Sequence, residues 1–226
     1  MKENKMERRM IHTEQQEIKL NCTMLENPDS RGLCVVYPGK GYTTERPLLY
    51  YSIRQAMARG YDLLILNYGE FTMSERTRTV MKELIQGVVE DVLAQQEKRG
   101  DLVFIGKSIG ALFASDVALS MGHSLPIRCV YLTPLDDMVS NMARTDFIAF
   151  TGSEDTLLDH RKALQDLGDA SWRLKVYPEA NHSLNVTDPS GSIRILSEVI
   201  GKIGEFIQMK PLSIDSFRSS DDRILV

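Results

Sequence analysis

Ser108 sits between two glycines in Gly106-Lys107-Ser108-Ile109-Gly110. A serine so placed can attack a carbonyl carbon if a base takes its proton, a carboxylate orients that base, and donors receive the oxyanion. The sequence offers a residue for each task. Thr151-Gly152-Ser153-Glu154-Asp155-Thr156 supplies Asp155 as orienting carboxylate, and Pro178-Glu179-Ala180-Asn181-His182-Ser183-Leu184 supplies His182 as base. The amides of Lys40 and Ile109 are the candidate oxyanion donors. Lys40 belongs to Tyr37-Pro38-Gly39-Lys40-Gly41-Tyr42, whose glycines let the main chain turn tightly beside a ligand. Gly39, Gly41 and Tyr42 are candidate substrate contacts, and the choice between Lys40 and Gly41 as donor stays open.

These residues must be carried to one place. The apolar run 102–105 suits a central strand buried on both faces, and Ala111-Leu112-Phe113-Ala114 suits the helix after it, so Ser108 falls on a strand-to-helix elbow. There the residues two places either side must be small for strand and helix to pass closely. A phosphate-cradling loop is excluded, because Asp101 stands where its first glycine is needed and a strand fills the interval. Lys107 is then an incidental neighbour.

Strands are predicted over 18–24, 33–37, 62–67, 102–105, 128–132, 147–150 and 173–177, the last near a sheet edge. Turn-forming residues at 27–32 suggest a hairpin-like entrance between the first two. Helices are predicted near 47–59, 75–98, 160–167 and 192–208, and in the second Met81, Leu84, Ile85, Val88 and Val92 keep one face apolar. Strands separated by helices imply a mainly parallel sheet covered on both faces. In such a sheet reacting groups emerge from the carboxyl ends of strands, where Ser108, Asp155 and His182 all fall. His12 precedes the sheet, and His123 and His160 lie in or beside helices, so each is a poorer base.

With 226 residues, 42% of them hydrophobic, the chain supports one α/β domain. The expected organisation is an N-terminal extension over 1–15, the domain over 16–209 and a C-terminal tail over 210–226, mobile or docked on a partner subunit. A net charge of −4 gives no general attraction to nucleic acid or an anionic membrane. The first ten residues have no apolar run of signal-peptide length, so a cytoplasmic protein is expected. Cys22, Cys34 and Cys129 form no CxxC pair and read as small buried hydrophobes. No metal-ligand spacing or cofactor motif is present, and the oligomeric state is open.

In this order, oxyanion loop, Ser108, Asp155 and His182, the chain resembles the α/β-hydrolase superfamily over about residues 33–208. The resemblance implies a single-domain α/β-hydrolase fold in which Ser108 attacks, His182 relays the proton and Asp155 holds the imidazole. Two departures stand out. Pro38 replaces the histidine many members carry in the oxyanion loop, and residues 133–146 are too few for the usual helical cap. The chain is therefore most similar to small, cap-poor members of the dienelactone-hydrolase and thioesterase kind. Some members take their acid from the position of Asp136 and Asp137, which are the second choice.

The activity so implied is hydrolysis of a small ester or thioester through an acyl-serine, with no cofactor. The alternatives are a non-catalytic binding protein on the same scaffold, or an acyltransferase or peptidase using the same triad. Lys40, Arg46 and Lys107 hint at an anionic substrate, against the plainer reading of solvent-facing lysines. Phe71, Met73 and Leu135 are further candidates to shape the pocket.

Overall fold

A computed structural model describes residues 6–96, 100–122 and 125–210. Among these residues eight strands form one sheet: β1 (Glu7–Gln15), β2 (Ile18–Glu26), β3 (Gly32–Tyr37), β4 (Asp62–Asn67), β5 (Asp101–Lys107), β6 (Ile127–Leu132), β7 (Asp146–Gly152) and β8 (Leu174–Tyr177). Their order is β1-β2-β4-β3-β5-β6-β7-β8, with β1 and β2 antiparallel and the rest parallel. The predicted α/β architecture is what the chain adopts. β3, β5 and β6 are central, with β3 and β6 wholly buried and β5 buried from Leu102 to Lys107, while β8 lies at the edge.

Helices cover both faces. α1 (Pro47–Ala58) and α6 (Pro189–Phe206) pack together on one side. α2 (Glu75–Gln95) and α3 (Ile109–Met121) pack together on the other, where Val80, Met81, Leu84, Ile85, Val88, Val89 and Val92 bury the α2 face. Burying one such side chain contributes about 1.5–3 kcal/mol. Only a 3-10 turn at Asp136–Met138 and the four-residue α4 (Val139–Met142) separate β6 from β7. α5 (His160–Leu167) follows β7 and is capped by Asp159, whose side chain accepts from the amides of Arg161 and Lys162.

The amino-terminal expectations need correction. Residues 7–15 are the first strand of the sheet, paired with β2 from Glu7↔Glu26 to Gln15↔Ile18. They read as an extension because an edge strand exposed on one face carries few apolar residues. The turn hid itself too, since Gln16 and Glu17 both take positive φ, 50° and 69°, without the glycine or asparagine that marks such hairpins. The segment 27–32 makes no hairpin. β2 pairs with β4 rather than β3, so this segment crosses over, with the Arg31 amide donating to the Gly60 carbonyl at 3.0 Å.

α6 begins at Pro189, earlier than predicted, because the Asp188 side chain caps it and proline suits its first turn. The predicted end of the second helix at 98, the candidate His123 and all but the first residue of the predicted tail lie outside the described residues.

Candidate active site

The elbow is built by close backbone packing. A Cβ on Gly106 would stand 2.5 Å from Ala111 Cα, and one on Gly110 would stand 2.1 Å from the Tyr37 carbonyl oxygen. The two glycines therefore let β5, α3 and the loop after β3 meet. Between them Ser108 takes φ 54° and ψ −121°, a conformation that costs a non-glycine residue about 1–3 kcal/mol. The Ser108 amide donates to the Leu132 carbonyl at 2.9 Å, and its own carbonyl accepts from Ala111 at 2.8 Å. The side chain is lifted clear of the sheet at the amino end of α3, where the Ile109 amide opens the helix.

Asp155 and His182 are brought together by their loops. The turn after β7 is bonded to the turn after β8 through Ser153 N to Tyr177 O at 2.9 Å and Glu154 N to Ala180 O at 3.0 Å. Asn181 Oδ1 accepts from the Ser183 amide at 2.8 Å and the Asn185 amide at 3.2 Å, which folds the histidine loop on itself. His182 Nδ1 lies 2.8 and 2.9 Å from the two Asp155 oxygens, and Nε2 lies 2.9 Å from Ser108 Oγ. The three side chains come from positions 108, 155 and 182 and form one continuous hydrogen-bonded chain.

This contact leaves no room for a methyl between the loops. A Cβ on Gly152 would fall 1.8 Å from the Ala180 carbonyl oxygen. Gly152→Ala must therefore push the acid turn off the histidine turn. The expected cost is about 3 kcal/mol, read as a lower urea midpoint with unchanged slope.

Asp155 is only 5% exposed. Burial pushes its carboxyl up, but bonds from His182, the Leu157 amide and the Thr151 hydroxyl outweigh burial and hold it below the usual carboxylate range. Asp136 and Asp137 are engaged elsewhere: Asp136 accepts from the Asp159 amide at 2.8 Å, and Asp137 faces Arg78 at 3.6 Å. The second-choice acids are thus separated from the histidine. His12 bonds Asn21 on the β1–β2 edge, and His160 opens α5.

The loop carrying Lys40 closes on itself through Gly39 N to Tyr42 O at 3.2 Å and Tyr42 N to Gly39 O at 3.1 Å. Among the described residues, the Lys40 and Gly41 amides at its tip donate no backbone hydrogen bond. Gly41 needs its freedom, at φ 69°. A cleft of ≈ 1000 Å³ lies beside this turn, lined by residues that include Gly39, Lys40, Gly41, Tyr68 and Phe71. A smaller one of ≈ 320 Å³ lies between Gly41, Tyr42, Arg46 and the residues after His182. Met73 is exposed, and Leu135 packs against the core.

Lys107 overturns its reading as an incidental or solvent-facing neighbour. It is 1% exposed, with Nζ 5.0 Å from the Tyr42 ring centroid. Burial pulls its ammonium down to about 8, and the Asp155 charge partly opposes this. A usable signal was in the strand: β5 is buried on both faces, so its last residue points inward, on the same side as Ile105. Lys40 and Arg46 are exposed as expected. Cys22, Cys34 and Cys129 are free and buried, and burial raises each thiol, to about 12 for Cys22 and Cys129.

No protein-family model matches the sequence, and a search of curated proteins returns no match. Solved structures do match. An α/β serine hydrolase without lid from Xanthomonas campestris is 16% identical, with 89% of this chain and 94% of that one covered at a TM-score of 0.64. An esterase from Pyrococcus furiosus is 16% identical over 90% and 92%, at 0.65. A dienelactone hydrolase from Anabaena variabilis is 14% identical over 92% and 100%, at 0.64. Identities this low speak to architecture, and on that level these matches agree with the strand order and the short link between β6 and β7: the chain has the α/β-hydrolase fold without a large cap.

Proposed function

We propose that the protein is a serine hydrolase that cleaves a small carboxylic ester or thioester through an acyl-Ser108 intermediate. The observation that carries this reading is the pair of contacts at His182, 2.9 Å to the Ser108 hydroxyl and 2.8 Å to the Asp155 carboxylate. In this mechanism His182 Nε2 takes the Ser108 proton as Oγ bonds to the carbonyl carbon. The oxyanion is received by the amides of Ile109 and of Lys40 at the tip of its turn. Collapse expels the alcohol or thiol, which leaves with the proton from His182. Water then attacks the acyl-serine with the same histidine as base, releasing the acid and restoring Ser108.

Two clefts open beside the Gly39–Tyr42 turn, one lined by Lys40 and the other by Ser183, the residue after His182. Their open form, with no large cap above, favours a small or exposed acyl group. Free buried thiols are in keeping with a cytoplasmic setting. A fluorophosphonate probe tests the chemistry directly. Ser108 is expected to be labelled, with loss of p-nitrophenyl ester and acyl-thioester turnover in the same proportion. Folded protein that resists labelling would point instead to a binding protein on this scaffold.

A further inference from the structure

We propose that Lys107 is a positioning residue of this site, whose buried ammonium holds the oxyanion turn through the Tyr42 ring. The inference rests on the hydrolase reading and extends it to a residue that touches none of the reacting atoms.

The geometry is particular to the site. Lys107 directly precedes Ser108, and a Cβ on Gly39 would stand 3.0 Å from its carbonyl oxygen and 3.3 Å from its Cγ, so the lysine stem forms the floor of the oxyanion turn. Its Nζ lies over the ring of Tyr42, 5.0 Å from the centroid, within the range of a cation–π contact. Tyr42 is pinned at its far end, where the hydroxyl accepts from the Leu48 amide at 3.2 Å in the first turn of α1. The ammonium also feels the charge of Asp155, which is bonded to His182. Contacts therefore run from Leu48 through Tyr42 to Lys107, which is joined in the chain to Ser108. The titratable groups facing Lys107 are Tyr42 from the loop after β3 and Asp155 from the loop after β7. Arg46 acts on Tyr42, and His182 acts on Asp155.

A charge in this position works against stability. Burial favours the neutral amine, and a methionine could fill the same space without that cost. The unfolded chain holds the Lys107 proton up to about 10.5, whereas the folded chain releases it near 8. The unfolded state thus binds more protons between these values, and stability contributed by this group rises as the pH climbs through them. A residue kept for packing alone would show the opposite balance on removal. Stability spent at a site in this way is typical of functional residues.

The test is Lys107→Met on the full chain, with Ser108→Ala and Tyr42→Leu alongside. Lys107→Met is expected to melt at or above the parent temperature at pH 7 and to lack the parent's gain in stability from pH 8 upward. Its kcat on a p-nitrophenyl ester should fall about tenfold or more, with KM changing less than about twofold, because a turn displaced by a fraction of an ångström misplaces its donors. The parent kcat should decline on the alkaline side with a midpoint near 8, as the ammonium is lost, and this limb should vanish in Lys107→Met. Tyr42→Leu should move the limb to lower pH. Parent kcat and an unchanged alkaline limb in Lys107→Met would overturn the role of Lys107 alone, as would a variant that is unstable or fails to fold. Turnover that survives Ser108→Ala would overturn the hydrolase reading and this inference with it.

Discussion

Ser108→Ala is expected to lower kcat by about 10⁵- to 10⁶-fold while the protein still folds, the scale on which a nucleophile acting as part of a triad is lost. The substitution deletes one oxygen, the partner of His182 Nε2 at 2.9 Å, and leaves the His182–Asp155 contacts in place. It does not disturb the elbow, because Gly106 and Gly110 make the close packing and the Ser108 side chain caps no amide of α3. Alanine inherits the φ of 54° with no larger penalty than serine. Thermal melting should therefore stay within a few degrees of the parent. Whatever rate remains is that of water attacking a carbonyl polarised by the oxyanion amides, and the fluorophosphonate adduct should disappear. A variant that turns over within tenfold of the parent would remove Ser108 from the mechanism.

The parts of this site that could be read in advance are those whose chemistry is local. An apolar strand, a glycine two residues before a serine and a glycine two after it define an elbow without reference to the rest of the chain. The close approaches at Gly106 and Gly110 are the physical content of that pattern. Asp155 and His182 could be placed because strand ends of a parallel sheet converge, so a loop acid and a loop histidine after successive strands were bound for one edge. β1 escaped notice because an edge strand needs little hydrophobic area, and its turn uses Gln16 and Glu17 in a conformation their side chains do not advertise. Lys107 escaped for a different reason. Its role depends on Tyr42, which reaches it from 65 residues away in the chain, and composition alone makes a lysine look like surface.

Asp155→Asn is expected to lower kcat by about 10⁴-fold and to leave the protein folded, whereas Asp136→Asn and Asp137→Asn should keep parent turnover. The Asp155 carboxylate is an acceptor only, and every group around it donates: the Leu157 amide at 3.0 Å, the Thr151 hydroxyl at 3.2 Å and His182 Nδ1. An amide in the same place keeps one acceptor oxygen and turns a donor toward its surroundings. If the oxygen stays with the Leu157 amide, the NH₂ group faces Nδ1, and the imidazole answers by carrying its proton on Nε2. That nitrogen can then no longer take the Ser108 proton, and the imidazolium formed during attack loses its countercharge. The stability change has a definite sign. The carboxyl of Asp155 is held below the usual range, so it stabilises the fold at neutral pH and ceases to do so as the pH falls through its folded pKa; the amide variant should lack that acid-side loss. Asp136 and Asp137 serve the Asp159 amide and Arg78, contacts remote from the imidazole, and their loss should register as small shifts in melting with kcat unmoved. Parent activity in Asp155→Asn, or a large kcat loss in either of the other two, would transfer the acid's role away from Asp155.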